Sequence, residues 1–219
     1  MSGILRTHGK PKAKARALIA TEMIQIYEYL NHAGSFTALR DNALLQVGFF
    51  GALRRSELVA ICLEHISWKN AGIEILIPSS KTDQNHEGQY CAIPRAPHES
   101  CPVHALEIWI EAAPIKSGAI FRRIMPDENI STGALTPPQS VNHILKQRAD
   151  EAGFFDKENL SSHSLRRGLA TSAAQAGAPL HSIMRAGRWK QTNTVMEYIE
   201  ENERFEINAA SIILNKGFA

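Results

Sequence analysis

Residues 163–201, HSLRRGLATSAAQAGAPLHSIMRAGRWKQTNTVMEYIEE, decide the fold of this chain. Apolar residues recur there at helical spacing, and Gly177 and Pro179 interrupt the pattern. We therefore expect consecutive short helices, which continue to the C-terminus over about 163–176, 180–187, 192–201 and 204–215. Between residues 159 and 196 the chain carries arginine, lysine and histidine but no acid, a charge pattern suited to facing phosphates.

The upstream sequence adds more helices and one hairpin. Helical periodicity follows plausible caps at Thr21 and Ser56, and helices are expected over about 21–33, 37–52, 103–113 and 139–153. Two runs with strand period, 72–78 and 88–94, flank the polar segment SSKTDQNHE and predict an antiparallel hairpin with Lys81 at its rim. A Gly- and Pro-rich connection spans roughly 114–138. The fold class expected is mixed α/β, predominantly helical, with a small antiparallel β-sheet.

Length and composition exclude several classes of protein. The chain has 219 residues, 44% hydrophobic and 21% charged, which suits one large domain or two small ones. No stretch approaches the roughly 20 apolar residues of a membrane span, and the N-terminus lacks a signal-peptide core. We expect a soluble, cytoplasmic protein. Cys62, Cys91 and Cys101 have no CxxC pairing, so they are expected to be structural rather than zinc ligands.

The net charge is concentrated in an N-terminal arm. Residues 1–16 hold five basic residues and no acid; removing these five from the 24 Lys and Arg leaves 19 bases against 22 acids. We expect residues 1–17 to form a basic linker or arm and residues 18–219 to form one domain. The arm is either a solvated linker or a contact for phosphates.

Motifs for nucleotide or metal chemistry are missing from the sequence, which lacks GxxxxGK[ST], a Gly-rich dinucleotide fingerprint, HExxH and GxSxG. No metal or cofactor is therefore expected. A different set of polar residues stands out within apolar helices, namely Arg54, His163, Arg166, Trp189 and Tyr198. Taken singly, Tyr198 and Trp189 also fit as packing residues, and Arg54 fits as the partner of Glu57.

Together these residue types match the needs of phosphodiester chemistry. Guanidinium groups pair with phosphate oxygens and stay charged, so Arg54 and Arg166 would neutralise a five-coordinate phosphorus. A tyrosine hydroxyl is a weak nucleophile at neutral pH, and His163 is a candidate base for Tyr198. Lys81 is a candidate general acid for the leaving 5′-oxygen.

Four blocks carry a resemblance to a known family: RDNALLQVGFFGALRRSEL (40–58), SSKTDQ (79–84), HSLRRGLAT (163–171) and AGAPLHSIMRAGRWKQTNTVMEYIEE (176–201). They resemble, in order, the signature boxes of the tyrosine recombinases, or phage integrases, and the last block resembles their Cre-like members. The successive spacings, from His163 to Arg166, from Arg166 to Trp189 and from Trp189 to Tyr198, are 3, 23 and 9 residues, as the family's catalytic box requires. The resemblance runs from about residue 20 to the end.

The resemblance implies a role for each matching residue. Arg54 would be the first catalytic arginine with Glu57 as its supporting carboxylate, Lys81 the hairpin lysine, and His163 with Arg166 the H-x-x-R pair. Trp189 would donate its indole N–H to the scissile phosphate, and Tyr198 would form a 3′-phosphotyrosine bond. Arg55 and Arg167 flank the assigned arginines, and only the motif register favours Arg54 and Arg166. DNA backbone contacts are expected from Arg185, Arg188 and Lys190.

The implied activity is site-specific cleavage and rejoining of double-stranded DNA, without metal or ATP, in association with the nucleoid. The family's fold, a helical catalytic domain with a small sheet, agrees with the pattern above; the family's upstream core-binding domain is expected to be absent from this chain. The last helix would dock on its own domain or be donated to a neighbour in a synaptic tetramer, with a monomer or weak oligomer away from DNA. The alternatives are a DNA-binding relic without chemistry and a type IB topoisomerase-like enzyme.

Overall fold

The computed structural model describes residues 14–78 and 88–203. These residues form eight α-helices and five strands, joined in part by 3₁₀ turns at Leu63–His65 and Lys157–Asn159. The helices are α1 Ala20–Ala33, α2 Phe36–Phe50, α3 Arg55–Val59, α4 Pro102–Ala112, α5 Ser140–Glu151, α6 Ser162–Gln175, α7 Leu180–Gly187 and α8 Thr192–Glu203. The strands are β1 Ile66–Lys69, β2 Gly72–Ile77, β3 Gln89–Pro94, β4 Arg122–Ile124 and β5 Ile130–Ala134.

Helix α2 is the central element, because nearly every turn of it is buried. It begins after Ser35, whose hydroxyl accepts a hydrogen bond from the Ala38 N–H at 3.1 Å, and it packs against α1, α4 and α6. Its apolar residues join two core clusters, one shared with the sheet and α4 and the other with α1 and α6. The end of α2 is therefore a fixed point from which the following turn reaches α6.

The sheets are small and antiparallel. One has the order β1-β2-β3, with Ile75 opposite both Ile66 and Cys91, and the other is the β4-β5 hairpin. The predicted strands at 72–78 and 88–94 are confirmed as β2 and β3. Strands β1, β4 and β5 were not predicted, and the last two lie in the segment expected to be an irregular connection.

Most predicted helices lie within a few residues of the observed ones, but two predicted caps are wrong. The N-cap of α1 is Ile19 rather than Thr21, and its N–H donates to the Glu22 carboxylate at 2.9 Å. The N-cap of α3 is Arg54 rather than Ser56, because Glu57 accepts from the Arg54 N–H at 3.0 Å. The predicted helix over 204–215 and most of the arm lie outside the described residues.

The segment before α1 runs along α6 at very short range. Leu18 donates its N–H to the Ser164 carbonyl at 3.1 Å, and Arg16 donates its N–H to the Asn159 carbonyl at 3.0 Å. This approach requires Gly168, since a Cβ there would stand 1.8 Å from the Leu18 carbonyl oxygen. The helix that supplies the H-x-x-R pair is thereby held between α2 and the entering chain. In the described part of the chain, no helix is long and apolar enough to span a membrane.

Gly168→Ala tests this contact. Replacing glycine by alanine inside a helix ordinarily stabilises it by about 1 kcal/mol, but here the methyl group collides with backbone, so we expect a loss of about 1–3 kcal/mol. Urea denaturation measures the change, with Gly133→Ala as the matched control because a Cβ at Gly133 meets nothing within 4 Å. Equal unfolding midpoints for Gly168→Ala and the wild type would contradict the assigned contact.

Candidate active site

Side chains from three separate parts of the chain meet beside the turn that follows α2. Arg54 comes from the start of α3, His163, Arg166 and Arg167 from the first turns of α6, and Arg188, Trp189 and Tyr198 from the end of α7 and from α8. The turn itself is strained, because Ala52 has a φ of 43° without being glycine. Its carbonyl groups accept hydrogen bonds from two of the arginines, which ties the three parts together.

Arg54 is fixed by Glu57. The Arg54 Nη1 donates to Glu57 Oε1 at 2.6 Å, while the Arg54 backbone N–H donates to Glu57 Oε2 at 3.0 Å. The carboxylate is buried, and burial alone would raise the pKa of Glu57. Hydrogen bonds from Arg54, with the charges of Arg188 and Arg54, outweigh burial and hold the pKa of Glu57 below its ordinary value. Arg55, the alternative to Arg54, is exposed on the outer side of α3.

Arg166 is buried with an unused donor. Its Nη1 donates to the Ala52 carbonyl, and its guanidinium carbon lies 4.4 Å from the centre of the Trp189 ring. Its buried Nη2 has no hydrogen-bond partner among the described residues. Burial, together with the charges of Arg54 and Arg188, lowers the pKa of Arg166 to about 10, so the group remains charged at neutral pH. A charged donor of this kind is suited to binding an anion.

Tyr198 is held from three sides. Its hydroxyl lies 3.0 Å from His163 Nε2, and the Thr171 hydroxyl donates to its carbonyl oxygen at 3.2 Å. The guanidinium carbon of Arg167 lies 4.9 Å from the centre of its ring. Only 7% of Tyr198 is exposed. A hydrogen bond between a hydroxyl and an imidazole is the arrangement in which histidine can accept the hydroxyl proton.

The environment of His163 favours the neutral imidazole. His163 is exposed at the start of α6, and its Nε2 lies against the Tyr198 hydroxyl. Burial first, and then the positive charges of Arg167, Arg166 and Arg54, lower the pKa of His163. A neutral imidazole is the form that accepts a proton.

Trp189 depends on the glycine two residues before it. A Cβ at Gly187 would lie 1.9 Å from the Trp189 ring, so no larger residue fits there without moving the ring. The ring stands edge-on to Tyr198, with their centres 6.1 Å apart, and covers Arg166 on its other side. Trp189 thus contacts both the cation and the tyrosine of the site.

The remaining predicted residues fall into three groups. Lys81 lies outside the described residues. Arg185 and Lys190 are exposed, as a contact to DNA requires. Arg188 instead points into the protein, where Nη2 donates to Glu57 Oε2 at 3.0 Å and Nη1 donates to the Gly51 carbonyl at 3.1 Å.

A groove of about 1090 Å³ opens beside the site. Arg54, Arg55, Lys146 and His163 contribute to its walls, together with serine hydroxyls at residues 56, 161 and 162. A groove of this size lined by several basic side chains offers phosphate contacts next to His163. Within residues 14–78 and 88–203, no three His, Cys, Asp or Glu side chains are grouped to hold a metal ion.

Two contacts of the site were not foreseen from sequence. One is the contact of Arg167 with the Tyr198 ring. It forms because one turn of α6 faces α8, and no sequence motif indicates that packing. The inward direction of Arg188 depends on its left-handed backbone, with φ of 56° and ψ of 39°. Arg188 follows Gly187, which ends the helical pattern, and nothing in the sequence indicates that Arg188 adopts a left-handed backbone.

Similarity to known proteins identifies the family of this chain. A profile described as "Phage integrase family" matches residues 16–204. The chain belongs to this family. The resemblance expected from the four sequence blocks is therefore confirmed.

Two curated relatives and one solved structure show the extent of the similarity. The integrase/recombinase xerD homolog of Selenomonas ruminantium is 39% identical over 217 residues, covering 99% of this chain and 63% of that protein. Recombinase cre of Escherichia phage P1 is 26% identical over 204 residues, covering 87% of this chain and 58% of that protein. The chain therefore spans about three fifths of the length of these relatives.

The XerH site-specific recombinase, in a post-cleavage complex with palindromic difH substrate, has a similar fold. Its TM-score is 0.69 at 20% identity, and the match covers 92% of this chain and 54% of that chain. The expected fold class, a mainly helical tyrosine recombinase catalytic domain with small antiparallel sheets, is confirmed.

A titration of His163 tests the electrostatics of the site. Because burial and three arginines disfavour the imidazolium, we expect His163 to titrate below about 6.5, the ordinary value for histidine. The ring nitrogen and carbon shifts of His163, followed by NMR against pH, measure the midpoint, and His163→Gln identifies the signal. A midpoint above the ordinary value would mean that an acidic group, rather than the arginines, dominates the surroundings.

Proposed function

We propose that this chain is the catalytic part of a site-specific DNA recombinase that cleaves and rejoins strands through a 3′-phosphotyrosine intermediate. The observation that carries the proposal is the 3.0 Å contact between the Tyr198 hydroxyl and His163 Nε2, made beside the charged Arg166 whose Nη2 is unused. Nucleophile, base and electrostatic partner are thus adjacent without any added group.

The first step is attack of Tyr198 Oη on the scissile phosphorus. Its proton passes to His163 Nε2, the new bond joins Oη to phosphorus, and the bond from phosphorus to the 5′-oxygen breaks. Arg54 and Arg166 balance the charge on the non-bridging oxygens, and the Trp189 indole N–H donates to one of them. Lys81 supplies the proton that the leaving 5′-oxygen needs.

The second step reverses the first with a different strand. A 5′-hydroxyl attacks the phosphotyrosine and gives its proton back to Lys81. Phosphorus bonds to that oxygen, the bond from phosphorus to Tyr198 Oη breaks, and Tyr198 recovers its proton from His163. The energy of the broken bond is kept in the phosphotyrosine, so the exchange needs no ATP. Rejoining to a new partner strand distinguishes recombination from simple relaxation.

The proposed substrate is double-stranded DNA, in the cytoplasm at the nucleoid. The basic groove next to Arg54 and the exposed Arg185 and Lys190 support this proposal, since phosphate contacts position a protein on a duplex. We further propose that residues 18–219 are the catalytic domain and residues 1–17 an arm. Chains would assemble into a synaptic tetramer on DNA and remain monomeric or weakly associated without it.

Tyr198→Phe tests the nucleophile. A labelled duplex carrying a nick beside the cleavage position loses its short leaving piece, so the covalent complex accumulates and appears as a shifted band on a denaturing gel. We expect Tyr198→Phe to abolish this band and to keep DNA binding, because phenylalanine preserves the ring but lacks the attacking oxygen.

Tyr29→Phe is the matched control. Tyr29 lies on α1 and packs against a core cluster that includes none of the site side chains, so this variant should behave as wild type. A covalent band that persists in Tyr198→Phe would place the nucleophile elsewhere. DNA binding without any band in the wild type, under the same conditions, would favour a DNA-binding relic.

A sulfur leaving group tests Lys81. A thiol has a pKa near 8.5, so a 5′-bridging sulfur departs as thiolate without needing a proton. We expect Lys81→Met to slow cleavage of ordinary DNA by about 10²-fold or more, the scale of general acid catalysis, and to cleave the sulfur-substituted DNA nearly as fast as wild type. Arg166→Met is the control that sulfur should not rescue. Equal impairment of Lys81→Met on both substrates would remove Lys81 as the acid.

A further inference from the structure

Arg188 has an unusual backbone and a buried charge, and the reaction as proposed uses neither. Of the described non-glycine residues, only Ala52, Glu128 and Arg188 have positive φ. Ala52 and Arg188 both lie at the candidate active site. A non-glycine residue in the left-handed region is strained, and such strain persists where surrounding contacts fix it. At Arg188 those contacts are made by its own side chain.

The contacts of Arg188 connect both phosphate-binding arginines. Its Nη2 donates to Glu57 Oε2, at 3.0 Å, on the carboxylate that holds Arg54 through Oε1. Its Nη1 donates to the Gly51 carbonyl, one residue before the Ala52 carbonyl that accepts from Arg166. The Arg188 and Glu57 side chains are only 6% and 3% exposed.

Two separate consequences follow from this geometry. With Arg188 bound to one carboxylate oxygen, Glu57 cannot rotate freely, so the direction of the Arg54 guanidinium is fixed. With Arg188 bound to the Gly51 carbonyl, the strained turn that anchors Arg166 is also held. A guanidinium with fork geometry suits both tasks at once, because its two terminal nitrogens reach two acceptors.

We propose, on the basis of the proposed function, that Arg188 is a positioning residue that orients Arg54 through Glu57 and steadies the turn under Arg166, rather than a contact to the DNA backbone. Its left-handed backbone places the side chain against α3 while the next residue, Trp189, covers Arg166. Residues 188 and 189 thus fix the positions of the Arg54 and Arg166 guanidinium groups and of the Trp189 indole.

The alternative role, a phosphate contact, gives different measurements. Loss of a phosphate contact weakens DNA binding and lowers the dependence of affinity on salt. Loss of a positioning residue leaves both unchanged and slows the chemical step. The two roles are therefore separable with one set of variants.

The test compares Arg188→Gly, Arg188→Lys and the control Arg95→Met in the full chain. Glycine accepts the left-handed backbone, so Arg188→Gly removes the contacts without adding strain. Arg95 forms an ion pair with Glu107 away from the site, so its variant removes an arginine from an exposed pair. Three readouts are used: single-turnover covalent attachment to nicked DNA, DNA affinity against salt, and the Glu57 carboxyl titration by ¹³C NMR.

We expect Arg188→Gly to slow attachment at least about tenfold, the scale seen when partners supporting a site are removed. DNA affinity and its salt dependence should match the wild type, and Arg188→Lys should recover part of the rate. In a Glu57→Gln background the change at Arg188 should have a smaller additional effect, since only its contact to the Gly51 carbonyl then remains to be lost. Arg95→Met should leave all readouts unchanged.

The Glu57 titration reports on the contact itself. Charged or titratable groups that face Glu57 are Arg54 on α3, Arg166 on α6, Arg188 after α7 and Cys91 on β3. Removing one cation disfavours the carboxylate, so its midpoint should move to higher pH in Arg188→Gly and only slightly in Arg188→Lys.

Two results would overturn the proposal. One is a loss of DNA affinity and of salt dependence in Arg188→Gly with an unchanged rate per bound complex. The other is a Glu57 midpoint that does not move. If the wild type itself forms no covalent complex, the proposed function fails, and the Glu57 titration then decides the role of Arg188 alone.

Discussion

The burial of several guanidinium groups around one carboxylate is the constraint on which the rest of the structure depends. Arg166 and Arg188 are buried beside Arg54, and the only acid that contacts this group among the described residues is Glu57. Burial first, and then repulsion from the like charges of Arg54 and Arg188, lowers the pKa of Arg166 to about 10. A bound anion would relieve that repulsion, so the arginines are already arranged to bind an anion.

The aromatic side chains of the site stabilise the buried positive charges. The rings of Trp189 and Tyr198 present their faces to Arg166 and Arg167, and aromatic faces attract cations without neutralising them. The charge is thereby kept available for the substrate. The two rings also stand edge-on to each other, with their centres 6.1 Å apart, and Gly187 leaves the room that the Trp189 ring occupies.

The sequence predicted the helices best, because periodic apolar residues and breakers such as Gly177 determine them locally. It missed β1 and the β4-β5 hairpin, whose strands have three to five residues and depend on pairing across the fold. It also misjudged the caps of α1 and α3, since both rest on a glutamate three residues downstream rather than on a capping hydroxyl. Tertiary contacts decided these elements.

The candidate site was predictable where a motif fixes the register, as for Arg54, Arg166 and Tyr198. Motif order alone did not exclude Arg55 or Arg167; the structure places Arg55 on the exposed face and Arg167 over the Tyr198 ring. The direction of Arg188 could not be foreseen, because a single left-handed residue turns its side chain from solvent into the protein. The direction of the Arg188 side chain is determined by contacts that exist only in the folded protein.

The most direct measurement is a crystal structure of the Tyr198→Phe chain bound to duplex DNA containing its cleavage site. The expected result is one phosphate with non-bridging oxygens about 3 Å from Arg54 and from Arg166 Nη2, and with the edge of the phenylalanine ring at position 198 facing its phosphorus. A duplex bound with its phosphates on another face, and with Arg166 Nη2 still unengaged, would contradict it.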